Sequence, residues 1–191
     1  MINYAAAFTA ADAILSKGDS VEILKEALET LTETAAGFII PLDDKFFKLP
    51  ASTKFHSTTA GGLFRHSYAV TKLLCSYTED LGLQWQRPES PLIVGICHDL
   101  CKVEQYRFSG KGCYIYDDLT LMPDHGAQSV ILAQQALHEL TQEEIACIRW
   151  HMGAFEKDSA FWRYYTNAVK FYPNVLYTHT ADMAATHIYN T

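Results

Sequence analysis

Apolar and polar positions along the chain recur mostly at helical spacing. From Tyr4 to Ser16 an Ala-rich stretch predicts a first helix that stops at Gly18. Ser20 then reads as an N-cap, and Val21, Ile23, Leu24, Leu28 and Leu31 form an apolar stripe that Gly37 closes. Between Phe38 and Gly62 periodicity is lost and Pro41, Pro50 and a glycine pair gather, which predicts an ordered connection. A helix follows over about Leu63 to Leu81, with His66 in its first turn. Ser90-Pro91 reads as an N-cap with proline at the first helical position, opening a helix that carries His98-Asp99.

Tyr106, Phe108, Tyr114, Ile115 and Tyr116 alternate with glycine and polar residues, predicting a loop or a short β-hairpin near residues 106–116. Another helix is predicted from about Asp124 to Leu140. Thr141-Gln142-Glu143-Glu144 is a capping-box pattern for the next, ending near His151. Two more, Ser159 to Phe171 and Asn174 to Tyr189, are separated by Pro173. The fold class read from this pattern is all-α. At 191 residues it suits one domain over 1–191, with 1–48 as a helical scaffold that carries no obvious chemistry.

Composition narrows the setting. Hydrophobic residues are 49% and charged residues 19%, as in folded globular proteins. The net charge of -7 and the lack of a Lys/Arg run argue against binding to extended duplex nucleic acid. The N-terminus has no basic region of the kind that opens a signal peptide, and no apolar run reaches membrane-spanning length, so a cytoplasmic protein without membrane contact is expected. The five cysteines, Cys75, Cys97, Cys101, Cys113 and Cys147, are odd in number and sit in apolar contexts, which points to reduced core thiols.

Against this apolar background the pair His98-Asp99 stands out, because burying an imidazole and a carboxylate side by side is costly unless something compensates them. His66, His125, His151 and Asp182 are further candidate ligands, at intervals too wide for a zinc finger but suited to helices converging on a cleft. Six such donors can hold two divalent metal ions, of which Mn, Fe, Co, Ni and Zn all suit histidine and carboxylate. Two such ions would also offset the acidic chain locally and admit a phosphorylated small molecule or nucleotide as partner.

The order His66, His98-Asp99, His125, His151, Asp182 resembles the HD-domain superfamily of metal-dependent phosphohydrolases in its six-ligand binuclear form. The stretch from Leu49 to His56, followed by Gly61-Gly62-Leu63-Phe64-Arg65-His66-Ser67, is similar to the opening of the HD domains of YhaM-type 3'-5' exoribonucleases and TraI-type relaxases. His98-Asp99-Leu100-Cys101-Lys102 matches the family's His-Asp-x-x-Lys run, with Cys101 where many relatives have glycine, a change expected to affect packing more than ligation. The likeness covers roughly residues 49 to 187, and nothing like the nucleic-acid-binding module of the exoribonucleases accompanies it.

The resemblance implies an HD-type helical bundle in which His66, His98, Asp99 and Asp182 bind one metal and Asp99, His125 and His151 the other, with Asp99 bridging. It further implies hydrolysis of a phosphate mono- or diester by metal-activated water, with Asp99 and Lys102 as catalytic residues. Lys102 would meet a phosphate oxygen, against the alternative of a solvated lysine at a helix end. Arg65 and His56 flank the first ligand and are substrate-binding candidates; Arg149 and Tyr106 are weaker ones. The aromatics Phe155, Phe161, Trp162, Tyr164 and Tyr165 read as core or pocket wall. Two other readings stay open, a di-iron oxygenase related to inositol oxygenase and a regulatory or ligand-binding module of low turnover.

Overall fold

The computed structural model describes residues 2–53, 58–110, 113–117, 119–122, 124–153 and 159–189. The chain is all-α with one small hairpin. The helices are α1 (Tyr4–Leu15), α2 (Val21–Ala36), α3 (Asp44–Lys48), α4 (Gly62–Leu81), α5 (Ser90–Cys97), α6 (Lys102–Gln105), α7 (His125–Leu137), α8 (Gln142–Arg149), α9 (Ser159–Phe171) and α10 (Asn174–His187). Strands β1 (Tyr106–Phe108) and β2 (Tyr114–Tyr116) pair antiparallel, Arg107 opposite Ile115.

Local chemistry accounts for most boundaries. Ser20 caps α2 by accepting from the Ile23 amide, and Gly37 ends the helix in the left-handed conformation at φ 68°. The capping box opens α8 as expected: the Thr141 hydroxyl accepts from the Glu144 amide while Glu144 accepts from the Thr141 amide at 2.8 Å.

Four expectations need correction. The stretch 38–62 contains α3, a helix of five residues capped by Asp43, whose Phe46 and Phe47 are buried and pack edge to face. Glu89, not Ser90, stands at the N-cap of α5; the Ser90 hydroxyl donates instead to buried Glu144 at 2.8 Å. Helix α5 stops at Cys97, so His98-Asp99 lies in the turn between α5 and α6. Helix α7 ends at Leu137, with His138 left-handed at φ 62°.

One apolar cluster runs from Tyr4 in α1 to Ala185 in α10. Helix α4 packs against α5 and α10, and α8 against α7, α5 and α10, so these five surround a common centre. The pair α1 and α2 supports the outside of α4: Phe8 meets Tyr68 edge to face, and Asp12 accepts from the Tyr68 hydroxyl at 2.8 Å. No helix among the described residues is long and apolar enough to cross a membrane.

Two glycines set the helix spacing. A Cβ at Gly95 would lie 2.5 Å from Thr71 Oγ1 and 2.6 Å from Thr71 Cα, so α5 touches the backbone of α4 there. A Cβ at Gly126 would lie 2.8 Å from the Arg149 carbonyl carbon and closer still to its oxygen, so α7 starts hard against the end of α8. Gly95→Ala is therefore expected to lower stability by about 1–3 kcal/mol in urea denaturation. Because Thr71 Cα itself obstructs the new methyl, Gly95→Ala with Thr71→Ala should recover nothing; recovery would show that only the side chain was in the way.

Candidate metal centre

The elements that meet at these glycines, together with α10, carry the candidate donors. His66 lies in the first turn of α4, His98 and Asp99 follow α5, His125 is the first residue of α7, His151 follows α8 and Asp182 lies in α10. The structure brings all six together around Asp99. Asp99 Oδ2 is 3.4 Å from His98 Nε2 and 3.5 Å from His66 Nε2, while Oδ1 is 2.6 Å from His125 Nε2 and 3.6 Å from His151 Nε2. Asp182 Oδ1 reaches His66 Nε2 at 3.1 Å and His98 Nε2 at 3.9 Å. The two carboxylate oxygens of Asp99 thus face separate histidine pairs, with Asp182 on the first pair.

Two of the rings are oriented from behind. His98 Nδ1 donates to the Gly95 carbonyl at 2.8 Å and His151 Nδ1 to the Ile148 carbonyl at 2.7 Å, each three residues back. Both rings therefore present an Nε2 lone pair to the centre. His151 Nε2 is buried and has no hydrogen-bond partner among the described residues. A buried polar atom without a partner is costly, and a cation bound there would supply what it lacks.

Electrostatics prepare the same atoms. Burial by itself raises the Asp99 carboxyl pKa, but Lys102, then His98 and His125, more than reverse this and hold it well below the usual carboxylate range. Burial likewise opposes ionisation of Asp182, and its hydrogen bond with His66, followed by the nearby His98, reverses that too. Burial holds His125 below the ordinary histidine value, as an unprotonated ring. Carboxylates ionised and imidazoles neutral are the forms that bind metals. His66, His98 and Asp182 offer one group of ligand atoms within 4.8 Å of one another, and Asp99 and His125 form a second with Cys101, a residue outside the six, rather than with His151. The residues present therefore fit a divalent cation at either group.

Other candidates fall differently. Lys102 is buried, with its ammonium on Asp99 Oδ2, so it is not a solvated helix-end lysine. The neighbouring carboxylate outweighs burial and keeps the amine protonated. Arg65 does not reach the cluster: its exposed guanidinium pairs with Asp19, ahead of α2. His56 and Phe155 lie outside the described residues. Arg149 pairs with Asp124, the residue capping α7 just before His125, at 2.7 Å and lies over the Trp150 ring. Tyr106 is half-buried within the fields of Lys102 and Asp99. Phe161 and Tyr165 pack on Trp150, whereas Trp162 and Tyr164 are exposed.

All five cysteines are free, and four are buried; Cys113 is exposed and is not a core thiol. Cys101 enters the centre directly, its Sγ 3.1 Å from His125 Nδ1. Gln105 and Gln128, buried behind His125, were not signalled by the sequence, because single glutamines on helices carry no distinguishing pattern. No protein-family model, curated protein or solved structure matches the chain.

The Lys102–Asp99 pair gives a direct test. Lys102→Met leaves a buried carboxylate without its cation and is expected to cost the metal-free protein about 3–5 kcal/mol. Added Mn²⁺ should then raise the Tm of the variant more than that of the wild type in thermal melts. An equal rise in both would show that lysine and cation do not share Asp99.

Proposed function

We propose that the chain is a metal-dependent phosphohydrolase of the HD-domain type, hydrolysing a phosphate mono- or diester such as a nucleotide. One observation carries the reading: a single buried carboxylate, Asp99, turns its two oxygens to two separate histidine pairs, and one of the four facing nitrogens, His151 Nε2, is buried without a hydrogen-bond partner. That divided arrangement around one acidic residue is what a bridged binuclear centre requires, and the resemblance in sequence order points the same way.

In this reading His66, His98, Asp99 and Asp182 hold one divalent ion, and Asp99, His125 and His151 the second. Such ions supply Lewis-acid charge to a phosphoryl oxygen and acidify water near it. The protein's own part is positional. The backbone carbonyls of Gly95 and Ile148 hold His98 and His151 in the ligating tautomer. Lys102 is a compact positive charge at the centre, suited to meet a phosphoryl oxygen once its ammonium leaves Asp99 Oδ2.

Replacement of Asp99 by Ala tests the assignment. Bound Mn or Zn per chain is expected to fall from two to at most one, and hydrolysis of phosphomonoester, phosphodiester and nucleotide substrates to be lost, while circular dichroism stays helical. Retained metal with undiminished hydrolysis would refute it. Substrate-dependent oxygen uptake by the iron-loaded protein, without phosphate release, would instead favour the oxygenase reading.

A further inference from the structure

His125 differs from the two neighbouring rings whose orientation is fixed by the backbone. The Nδ1 atoms of His98 and His151 face carbonyl oxygens, which only accept, so their tautomers are set. His125 Nδ1 instead lies between two groups of opposite character, the Cys101 thiol at 3.1 Å and the Gln105 side-chain oxygen at 3.3 Å.

The identity of that oxygen follows from a carboxylate two side chains away. Glu104 can only accept, so the Gln128 amide nitrogen turns to it. Gln128 Oε1 then faces Gln105 Nε2, which donates at 2.8 Å, and Gln105 is left with its oxygen towards His125. Both glutamines are 2% exposed, so water does not compete for the bond between them, while Glu104 anchors Gln128 from the exposed end. On the opposite edge of the ring, Nε2 is 2.6 Å from Asp99 Oδ1, another acceptor. Burial, and then the charge of Asp99, keep the Cys101 sulfur a thiol, a donor.

The surroundings therefore satisfy one neutral form of His125 without a cation, and the other only when a cation stands between Nε2 and Asp99 Oδ1. With the proton on Nε2, the ring donates to Asp99 and Nδ1 accepts from the Cys101 thiol. With the proton on Nδ1, the ring donates to Gln105, Nε2 offers its lone pair to the centre, and the thiol is left the Asp99 carbonyl at 3.9 Å.

We propose that Gln105, held by Gln128 and Glu104, is the positioning residue that stabilises the ligating tautomer of His125, and that cation binding moves the ring proton from Nε2 to Nδ1 as Cys101 gives way to Gln105. Nε2 gives its proton to water and Nδ1 takes one from water, so the ring stays neutral, Cys101 stays a thiol and nothing is oxidised. The proposal rests on the metal-centre reading above.

Nitrogen NMR of the ¹⁵N-histidine-labelled protein, with zinc as a diamagnetic probe, reads the tautomer directly, the His125 signals being assigned by their loss in His125→Gln. The metal-free ring is expected as the Nε2–H form and the zinc-loaded ring as the Nδ1–H form; the same tautomer in both states would overturn the proposal, whatever the variants do. In calorimetry Gln105→Leu should weaken zinc binding about 10–100-fold, and Gln105→Glu, which keeps an acceptor for Nδ1–H but gives up the donor to Gln128, should bind zinc more tightly than Gln105→Leu. Wild-type affinity in Gln105→Leu, or equal weakness in both variants, would reduce Gln105 to a packing role. Asp99→Ala separates the two levels of failure: if it too binds zinc normally, the metal centre itself is refuted, whereas if it alone loses zinc, only the relay fails.

Discussion

Asp99 places a carboxylate where only 3% of the residue meets water, and the surrounding structure is arranged to meet that cost. Removing an ion from water costs several kcal/mol even after relaxation, so a buried anion persists only where cations or donors surround it. Lys102 supplies the charge from one helical turn away in sequence, and His125 a short contact across the cleft. His66, His98 and His151 complete the ring. These side chains come from four separate helices or the turns that follow them, so the enclosure exists only when α4, α5, α7 and α8 are packed together.

That dependence explains the two close glycines. Gly95 lets α5 touch the α4 backbone three residues before His98, and its carbonyl is the acceptor that orients the His98 ring. Gly126 follows His125 and abuts the last residue of α8, two residues before His151. Arg149 reinforces the same joint through Asp124. The N-terminal helices act at one remove: Asp12 grips Tyr68 and Lys72, and Asp19 grips Arg65, all on the outer face of the helix that carries His66. Arg65 is thus tied to the scaffold rather than to the cleft.

Much of this was legible in the chain. Long amphipathic stretches with Ser20, Thr141 and Gly37 at their ends state their own boundaries, and the six imidazoles and carboxylates that the sequence singles out do converge around Asp99. The helix Asp44–Lys48 was not legible, because one turn is too short to show a period and its burial depends on tertiary contact with Phe64. The sequence leaves Lys102 either solvated or phosphate-binding, since nothing local shows that Asp99 lies in its reach. The glycines could have been read: glycine within a helix costs about 1 kcal/mol against alanine, so one placed three residues before His98 signals a close approach.

The same constraint governs how the centre can exist both without and with cations. A cluster of carboxylates and lone pairs built only to bind metal would be strongly destabilised before metal arrived. Here Lys102 neutralises Asp99, and His125 can satisfy Asp99 by donating from Nε2, so the metal-free fold keeps its buried acid paired. Each of those interactions must be given up when a cation takes their place at Asp99. If the proposed centre binds cations, its affinity is a difference between two satisfied states, and groups that touch no metal, Lys102 through its ammonium and Gln105 through its amide oxygen, would enter that difference alongside the ligands.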